Sequence, residues 1–264
     1  MSQKKSEDIR GEVRKRYGAI ASGGSSCCGS SSCCSSSSPI GAEASARIGY
    51  SSEEMQAVPE GSNLGLGCGN PQAIAALKEG DVVVDLGSGA GFDCFLAARK
   101  VGPSGRVIGI DMTPEMIAKA RENARRGGYS NVEFRLGEIE HLPVADQSAD
   151  VVISNCVINL SPDKLQVFRE AWRVLKPGGR LAISDVVATQ ELPEAIKTDL
   201  AAYAGCVAGA ALVSDVEALL LESGFTDVKV QIQQASREAI KDWFPGSGVE
   251  NYVASAIIEA KKGE

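Results

Sequence analysis

Cysteine is the residue type in this chain that is best suited to unusual chemistry. The 264 residues include eight cysteines but one histidine, His141. Thiolates are the softest ligands that proteins offer, so they select soft ions, and thiols also carry out redox reactions. The single histidine disfavours a mixed Cys/His zinc site. The composition therefore predicts soft-ion binding or redox chemistry rather than a structural disulfide framework.

Three cysteines stand where the surrounding pattern favours a functional site. Cys68 lies in a loop, 64–71, that three glycines and a proline shape. Cys156 follows a predicted strand, and ligands of open α/β sheets bind beyond the carboxyl ends of strands. Cys206 has small residues on both sides, which allow close approach. The alternatives are a buried core thiol for Cys156 and a packed small-residue helix around Cys206.

A second chemical motif is the segment 85–91, Asp-Leu-Gly-Ser-Gly-Ala-Gly. It follows the apolar run 82–84 and precedes a helical pattern, so it predicts a strand, a tight glycine turn and a helix start. Glycine permits unusual backbone angles and lets a ligand approach, and a helix N-terminus offers free N–H groups. The glycine spacing differs from the G-x-G-x-x-G of dinucleotide sites. A structural turn without a ligand is the alternative.

This D-x-G-x-G-x-G pattern resembles motif I of class I S-adenosylmethionine methyltransferases. A second predicted strand ends in Asp111, where an acidic residue is expected to meet a ribose hydroxyl pair. A loop after the third strand would lie beside an adenine, with the Glu138 side chain or the Ile139 backbone facing its exocyclic amine. The resemblance implies S-adenosylmethionine as the cofactor. The implied cofactor-binding residues are Asp85, Gly87, Ser88, Gly89, Gly91, Asp111, Met112, Gly137, Glu138, Ile139 and Asn155.

The elements that must position these residues alternate along the chain. Strands are predicted near 81–86, 106–111, 132–136, 150–154 and 179–186. Helices are predicted near 51–57, 71–79, 92–101, 114–126, 163–175, 194–204 and 213–222. Such alternation predicts an α/β fold with a doubly wound, Rossmann-like sheet that is mostly parallel and has helices on both faces. Two later alternating runs, 227–233 and 252–258, predict a terminal antiparallel pair.

The first 50 residues differ in composition from the rest. A short polar helix is predicted for 4–17. Residues 21–38 include ten Ser and four Cys, and such a segment buries too little apolar surface to fold by itself, so we expect it to be flexible. The predicted division is an N-terminal helix with a Ser/Cys-rich segment over 1–50, and a methyltransferase domain with a C-terminal extension over 51–264.

Charge and hydropathy exclude several classes of function. The net charge is −7 and there is no basic block, which argues against a nucleic-acid surface. No apolar run approaches the ~18–20 residues of a membrane span. The N-terminus is polar and charged, unlike a signal peptide. We therefore expect a cytoplasmic protein, a monomer, with neither nucleic-acid nor membrane partners.

Several segments together resemble one family more closely than a generic methyltransferase. The segments 66–71, 110–113, 137–140, 154–160 and 205–209 are similar to those of the arsenite S-adenosylmethionine methyltransferases. The resemblance implies trivalent arsenic, free or as a glutathione conjugate, as the methyl acceptor. It implies that Cys156 and Cys206 bind arsenic, with Cys68 as a third thiol.

The same resemblance implies a redox cycle and a role in arsenic detoxification. Cys68 and an N-terminal thiol, with Cys28 and Cys34 as candidates, would form a disulfide that thioredoxin or glutathione reduces. Two alternatives remain. One is an S-adenosylmethionine-dependent C- or O-methyltransferase of another small molecule, and the other is a non-catalytic metalloid-binding thiol protein.

Overall fold

The computed structural model describes residues 3–23, 40–197, 199, 202–203, 205–243 and 246–264. Runs of β-branched and alternating apolar residues form one seven-stranded sheet, in the order β3-β2-β1-β4-β5-β7-β6. The pairs from β3 to β5 are parallel, and β7 is antiparallel to β5 and β6. The predicted fold class is therefore confirmed. The strands are β1 (Val82–Leu86), β2 (Arg106–Asp111), β3 (Val132–Leu136), β4 (Ala149–Asn155), β5 (Leu175–Ala188), β6 (Phe225–Gln233) and β7 (Val253–Lys262).

Helices cover both faces of this sheet. Successive side chains of a strand point to opposite faces, so Val83 packs with the helices 92–101 and 114–127 while Val84 packs with the helices 164–174 and 213–222. The described helices are α1 (Gln3–Ala21), α2 (Ile40–Arg47), α3 (Ser52–Gln56), α4 (Phe92–Val101), α5 (Pro114–Gly127), α6 (Lys164–Val174), α7 (Glu194–Lys197), α8 (Val213–Glu222) and α9 (Ser236–Trp243).

Some predicted elements differ from the structure. The predicted helix 71–79 is wrong, because the chain makes a single 3-10 turn at Pro71–Ala73 and Ala76 has a left-handed φ of 45°. For the predicted helix 194–204, the structure describes a helix over its first turn, Glu194–Lys197, which is α7. Residues 198, 200, 201 and 204 lie outside the described ranges. Helix α9 was missed, because its amphipathic pattern is only eight residues long.

Helix α1 is longer than predicted and is not polar on all sides. Its apolar residues Ile9 and Val13 are 3% and 2% exposed and pack in one cluster with Cys68, Cys156 and Cys206. The helix therefore covers the side of the molecule where the candidate thiols lie. The Ser/Cys-rich segment that follows α1, with Cys28 and Cys34, lies outside the described residues.

The strand order creates a natural binding crevice. From β1 the chain moves outward through β2 to β3 and then returns to place β4 on the other side of β1. At such a reversal the connections leave two neighbouring strands in opposite directions, and ligands bind beyond their carboxyl ends. The glycine turn follows β1, and Asn155 ends β4 just before Cys156. Both sequence motifs thus meet at one edge of the sheet.

Candidate active site

The glycine turn is fixed to the end of β2 by its own backbone. The N–H groups of Gly87 and Ser88 donate to the Ile110 carbonyl at 2.8 and 2.9 Å. The N–H of Gly89 donates to Oδ2 of Asp111 at 3.0 Å. The other oxygen of Asp111 accepts from the Thr113 N–H at 2.8 Å. Asp111 therefore joins the turn to the start of α5, in addition to its predicted role toward a ribose.

The turn has the features of a cradle that a polar ligand completes. Ser88 Oγ is buried without a hydrogen-bond partner in the protein, and buried polar groups are normally paired. A Cβ placed on Gly89 would meet nothing within 4 Å, so open space lies above this residue. Gly91 instead serves packing, since a Cβ there would lie 2.7 Å from the Phe95 and Phe134 rings. The residues present fit a ligand over Ser88 and Gly89.

Asp85 lies beneath the turn in a buried acidic network. Cys94 Sγ donates to Asp85 Oδ2 at 3.1 Å, and burial together with the nearby Asp93 raises the pKa of the Asp85 carboxyl. Burial raises the pKa of Asp93 to about 6. Asp93 accepts a 2.7 Å hydrogen bond from the Tyr50 hydroxyl. Sequence reasoning missed Asp93 and Tyr50, although an acid in the first turn after a glycine motif is a usable signal.

The predicted adenine-side residues are held by the N-terminal helix. The carboxylate of Glu138 forms ion pairs with Arg10 and Arg14 of α1. Ile139 is 8% exposed. The Gly137 N–H donates to the Asp111 carbonyl at 3.0 Å. Whether Glu138 or the Ile139 backbone contacts a base stays a prediction, and α1 competes for the Glu138 carboxylate.

The three predicted thiols belong to one buried cluster beside the glycine turn. Cys68, Cys156 and the carboxylate of Asp185 place their donor atoms within 4.8 Å of one another. The Cys206 thiol donates to the Cys156 carbonyl at 2.9 Å. The thiols are free, and their residues are 3%, 9% and 3% exposed for Cys68, Cys156 and Cys206. Gly87 adjoins the cluster, because a Cβ there would lie 2.3 Å from the Val157 side chain.

Backbone strain marks two of these cysteines. Cys156 and Cys206 have φ values of 57° and 65°, in the left-handed region that costs a residue with a Cβ free energy. Residues in sparsely populated backbone regions cluster at functional sites because the surrounding structure must hold them there. The loop conformations at both thiols are therefore imposed by tertiary contacts.

Comparison with known proteins identifies the family. A methyltransferase domain model matches residues 77–240. An arsenite methyltransferase of Halobacterium salinarum is 52% identical over 97% of this chain and 67% of its own length. The chain belongs to the arsenite methyltransferase family. It is accordingly a methyltransferase that depends on S-adenosylmethionine, which agrees with the cradle over Ser88 and Gly89.

Further relatives agree with this assignment. An arsenite methyltransferase of Aquipseudomonas alcaligenes is 48% identical over 66% of this chain and 52% of its own length. The crystal structure of an arsenic(III) S-adenosylmethionine methyltransferase from Chlamydomonas reinhardtii matches with a TM-score of 0.62 and 36% identity, covering 87% of this chain and 75% of that chain. The chain thus spans about two thirds of the Halobacterium relative and about half of the Aquipseudomonas relative.

In this member of the arsenite methyltransferase family the site thiols are protonated at neutral pH. Burial raises the pKa of the Cys68 thiol to about 11. The pKa of Cys206 is raised by its hydrogen bond with Cys156 and by burial. For Cys156 the hydrogen bond from Cys206 lowers the pKa, but contact with Cys68 and burial raise it by more.

Asp185 is the main residue of the thiol cluster that sequence reasoning missed. Its carboxylate accepts from the N–H groups of Ile158 and Val186 at 2.8 and 2.7 Å and from Asn159 Nδ2 at 2.9 Å. Burial raises its pKa to about 6. An acid within the apolar run of β5 was the available signal, since buried carboxylates are rare unless they are paired. None of the helices in the described ranges has the length and hydrophobicity that crossing a membrane requires.

Proposed function

We propose that this chain transfers methyl groups from S-adenosylmethionine to trivalent arsenic held by Cys68, Cys156 and Cys206. The observation that carries the proposal is that three buried, free thiols share one side-chain cluster at the strand crossover where the glycine turn lies. Generic methyltransferases of carbon or oxygen acceptors have no use for three thiols at this edge. The relatives named for arsenite support the same acceptor.

The protonation state of the thiols suits a neutral, trivalent acceptor. Arsenite carries three hydroxyl groups, and each thiol exchanges for one of them, so three As–S bonds form and three waters leave. The thiol protons depart in these waters, and no net charge is created. Forming a charge in this buried site would be costly. The raised thiol pKa values therefore do not oppose arsenic binding, whereas they oppose a divalent cation, which needs thiolates.

Holding arsenic by three sulfurs leaves its lone pair as the nucleophile. This nucleophile carries no proton, so the chain needs no general base. S-Adenosylmethionine supplies an electrophilic methyl group when it is bound. Ser88, Gly89 and Asp111 are the residues that would hold it, through an unpaired hydroxyl, an open backbone and a carboxylate. The chain acts mainly by positioning, which is worth up to about 7–11 kcal/mol in favourable cases.

A disulfide relay completes the proposed cycle. Addition of a methyl cation to arsenic formally raises its oxidation state from three to five. An N-terminal thiol then attacks the arsenic-bound sulfur of Cys68. One S–S bond forms, the bond between arsenic and Cys68 breaks with its electron pair left on arsenic, and the attacking thiol releases its one proton, so arsenic becomes trivalent again and stays bound to the other two sulfurs. Two thiols of thioredoxin or glutathione then reduce the protein disulfide. We assign the relay pair to Cys68 and an N-terminal thiol, Cys28 or Cys34. Such a cycle requires a reducing compartment such as the cytoplasm, and arsenic detoxification is the role we assign to it.

Incubation of the reduced protein with S-adenosylmethionine and arsenite tests the acceptor. We expect methylated arsenic, detected by chromatography with arsenic-specific mass spectrometry, and we expect Cys156→Ser and Cys206→Ser each to abolish it. Near-normal turnover by either variant would refute the three-thiol site. Binding of S-adenosylmethionine without methylation of arsenic would refute arsenic as the acceptor.

The role of Cys68 has a separate test. Cys68→Ser is expected to reduce methylation of inorganic arsenite more than methylation of monomethylated trivalent arsenic, because the second substrate already has one As–S position occupied by carbon. Equal losses on the two substrates would argue against a distinct role for Cys68.

A further inference from the structure

Two asparagine side chains flank Cys156 and reach toward different loops. The segment 155–159, Asn-Cys-Val-Ile-Asn, leaves the carboxyl end of β4 at the crossover. Asn155 stands before the thiol and Asn159 stands three residues after it. Neither amide is needed to bind arsenic, which prefers sulfur, so their contacts require another explanation.

Asn155 is bonded to the loop that carries Cys68. Its Oδ1 accepts from the Cys68 N–H at 3.0 Å, and its Nδ2 donates to the Gly69 carbonyl at 2.9 Å. Nδ2 also donates to the Tyr50 hydroxyl at 2.9 Å. A Cβ on Gly67 would lie 2.8 Å from Nδ2 of Asn155. The loop therefore lies directly against this amide, which fixes the backbone of Cys68 through both a donor and an acceptor.

Asn159 is bonded to the loop that carries Cys206. Its Nδ2 donates to Oδ1 of Asp185 at 2.9 Å and also lies within reach of the Val186 and Cys206 carbonyls, the latter at 3.3 Å. A Cβ on Gly209 would lie 2.1 Å from the Asn159 carbonyl. The loop 205–209 thus packs on Asn159, and Asp185 holds the amide in place. Asn159 is 3% exposed.

We propose that Asn155 and Asn159 are positioning residues that set the three-thiol geometry, Asn155 acting through Cys68 and Asn159 acting through Cys206. The two loops come from distant parts of the sequence, and Cys206 has a strained backbone that local preferences do not hold. A primary amide is suited to this task because it donates and accepts at once. The assignment rests on the proposed arsenic site and adds the device that assembles it.

If the amides act as positioning residues, the effect of each asparagine variant on arsenite binding depends on one particular thiol, whereas a merely structural role would show no such dependence. Arsenite affinity of the reduced protein would be measured by titration for Asn155→Ala and Asn159→Ala, in the wild-type chain and in Cys68→Ser and Cys206→Ser backgrounds. Coupled residues deviate from additivity, whereas independent sites add. Loss of an outer-shell partner typically weakens metal binding about 10- to 100-fold, and we expect losses of that size for each single variant.

The expected pattern is paired. Asn155→Ala should lose most of its effect once Cys68 is serine, but keep its full effect once Cys206 is serine. Asn159→Ala should show the reverse pattern. X-ray absorption of the arsenic-loaded single variants should show two sulfurs around arsenic in place of three. Equal losses in both cysteine backgrounds, or three sulfurs in both variants, would overturn the assignment.

Controls separate this assignment from the proposed function. Cooperative unfolding reports that a variant is folded, and Asn155→Ser and Asn159→Ser, which put a hydroxyl in place of the amide, replace an alanine variant that is not. A wild-type chain that binds no arsenite would overturn the proposed function and this assignment together. If the wild type binds arsenic through three sulfurs but the loss caused by each asparagine variant is the same in both cysteine backgrounds, only the assignment is overturned.

Discussion

Gly87 and Gly89 offer a matched pair of substitutions at the glycine turn. Both have left-handed backbones, with φ of 73° and 52°. A Cβ on Gly87 would lie 2.3 and 2.6 Å from the two methyl carbons of Val157, whereas a Cβ on Gly89 would meet nothing within 4 Å. Gly87→Ala therefore combines backbone strain with a clash, and Gly89→Ala brings strain alone.

The magnitudes follow from these two contributions. A left-handed residue with a Cβ costs about 1–2 kcal/mol, and replacing glycine recovers about 0.4–1 kcal/mol by restricting the unfolded chain. Gly89→Ala should therefore destabilise the fold by about 1 kcal/mol. Overpacking typically adds about 1–3 kcal/mol, which brings Gly87→Ala to about 2–4 kcal/mol. A difference of about 2 kcal/mol corresponds to about 4–8 °C in Tm for a domain of this size.

Urea unfolding of both variants measures this difference, and Val157→Ala supplies a third arm. Val157→Ala removes the two closest atoms but leaves the Val157 Cβ, which would lie 2.9 Å from the new Cβ, so the additional cost of Gly87→Ala should fall in that background without disappearing. The two variants should also impair different binding steps. Gly89→Ala should weaken S-adenosylmethionine binding, and Gly87→Ala should weaken arsenite binding by displacing the segment that follows Cys156. Equal destabilisation by the two alanines, or no rescue by Val157→Ala, would refute the proposed contact between turn and thiol segment.

Two further predictions concern the ion pairs of α1 and the thiol protons. Arg10→Ala removes the ion pair of Glu140, whose side chain is 5% exposed, so it should lower the free energy of unfolding by about 1–3 kcal/mol. Arg14→Ala removes a more exposed pair and should lower it by less than about 1 kcal/mol. Equal losses of the two variants in urea unfolding would contradict this order. Arsenite affinity should change little between pH 7 and 8, because thiols such as Cys68, with its pKa of about 11, stay protonated and Asp185, with its pKa of about 6, stays ionised over that range. The thiol protons then leave in water. The affinity for cadmium should rise at least about tenfold for each unit of increase in pH, since cadmium displaces protons from the thiols. A similar rise for arsenite would contradict an exchange of hydroxyl groups for thiols that releases no free protons.

The local parts of the fold could be predicted from the sequence. The limits of β1, β2 and α4 follow from apolar runs that end in a glycine turn or an acid, and these signals act over a few residues. The prediction was wrong at 71–79, where alanines and a leucine favour a helix. There Arg180 donates to the carbonyls of Ala75 and Ala76, so a tertiary contact holds the chain in a non-helical form.

The partners of the site residues could not be predicted in the same way. The role of Glu138 toward a cofactor base stays a prediction, whereas its pairing with residues of α1 more than 120 positions away has no signal in the sequence around it. The cofactor role of Asn155 likewise stays a prediction, and its contact with the Cys68 loop is visible only in the fold. An acid or amide has many suitable partners in a sequence, and the choice among them depends on which elements the fold brings within hydrogen-bond distance.

The sequence by itself determined the chemical repertoire: a glycine turn, an acid at the end of β2 and three thiols in unusual surroundings. These depend on residue type and on backbone preferences that are local. Only the tertiary structure decided that the thiols meet. Cys156 and Cys206 are 50 positions apart, and their contact exists because the sheet order sets β4 between β1 and β5. Their strained loops are held by Asn159 and Asp185, through hydrogen bonds that form only when the strands have assembled.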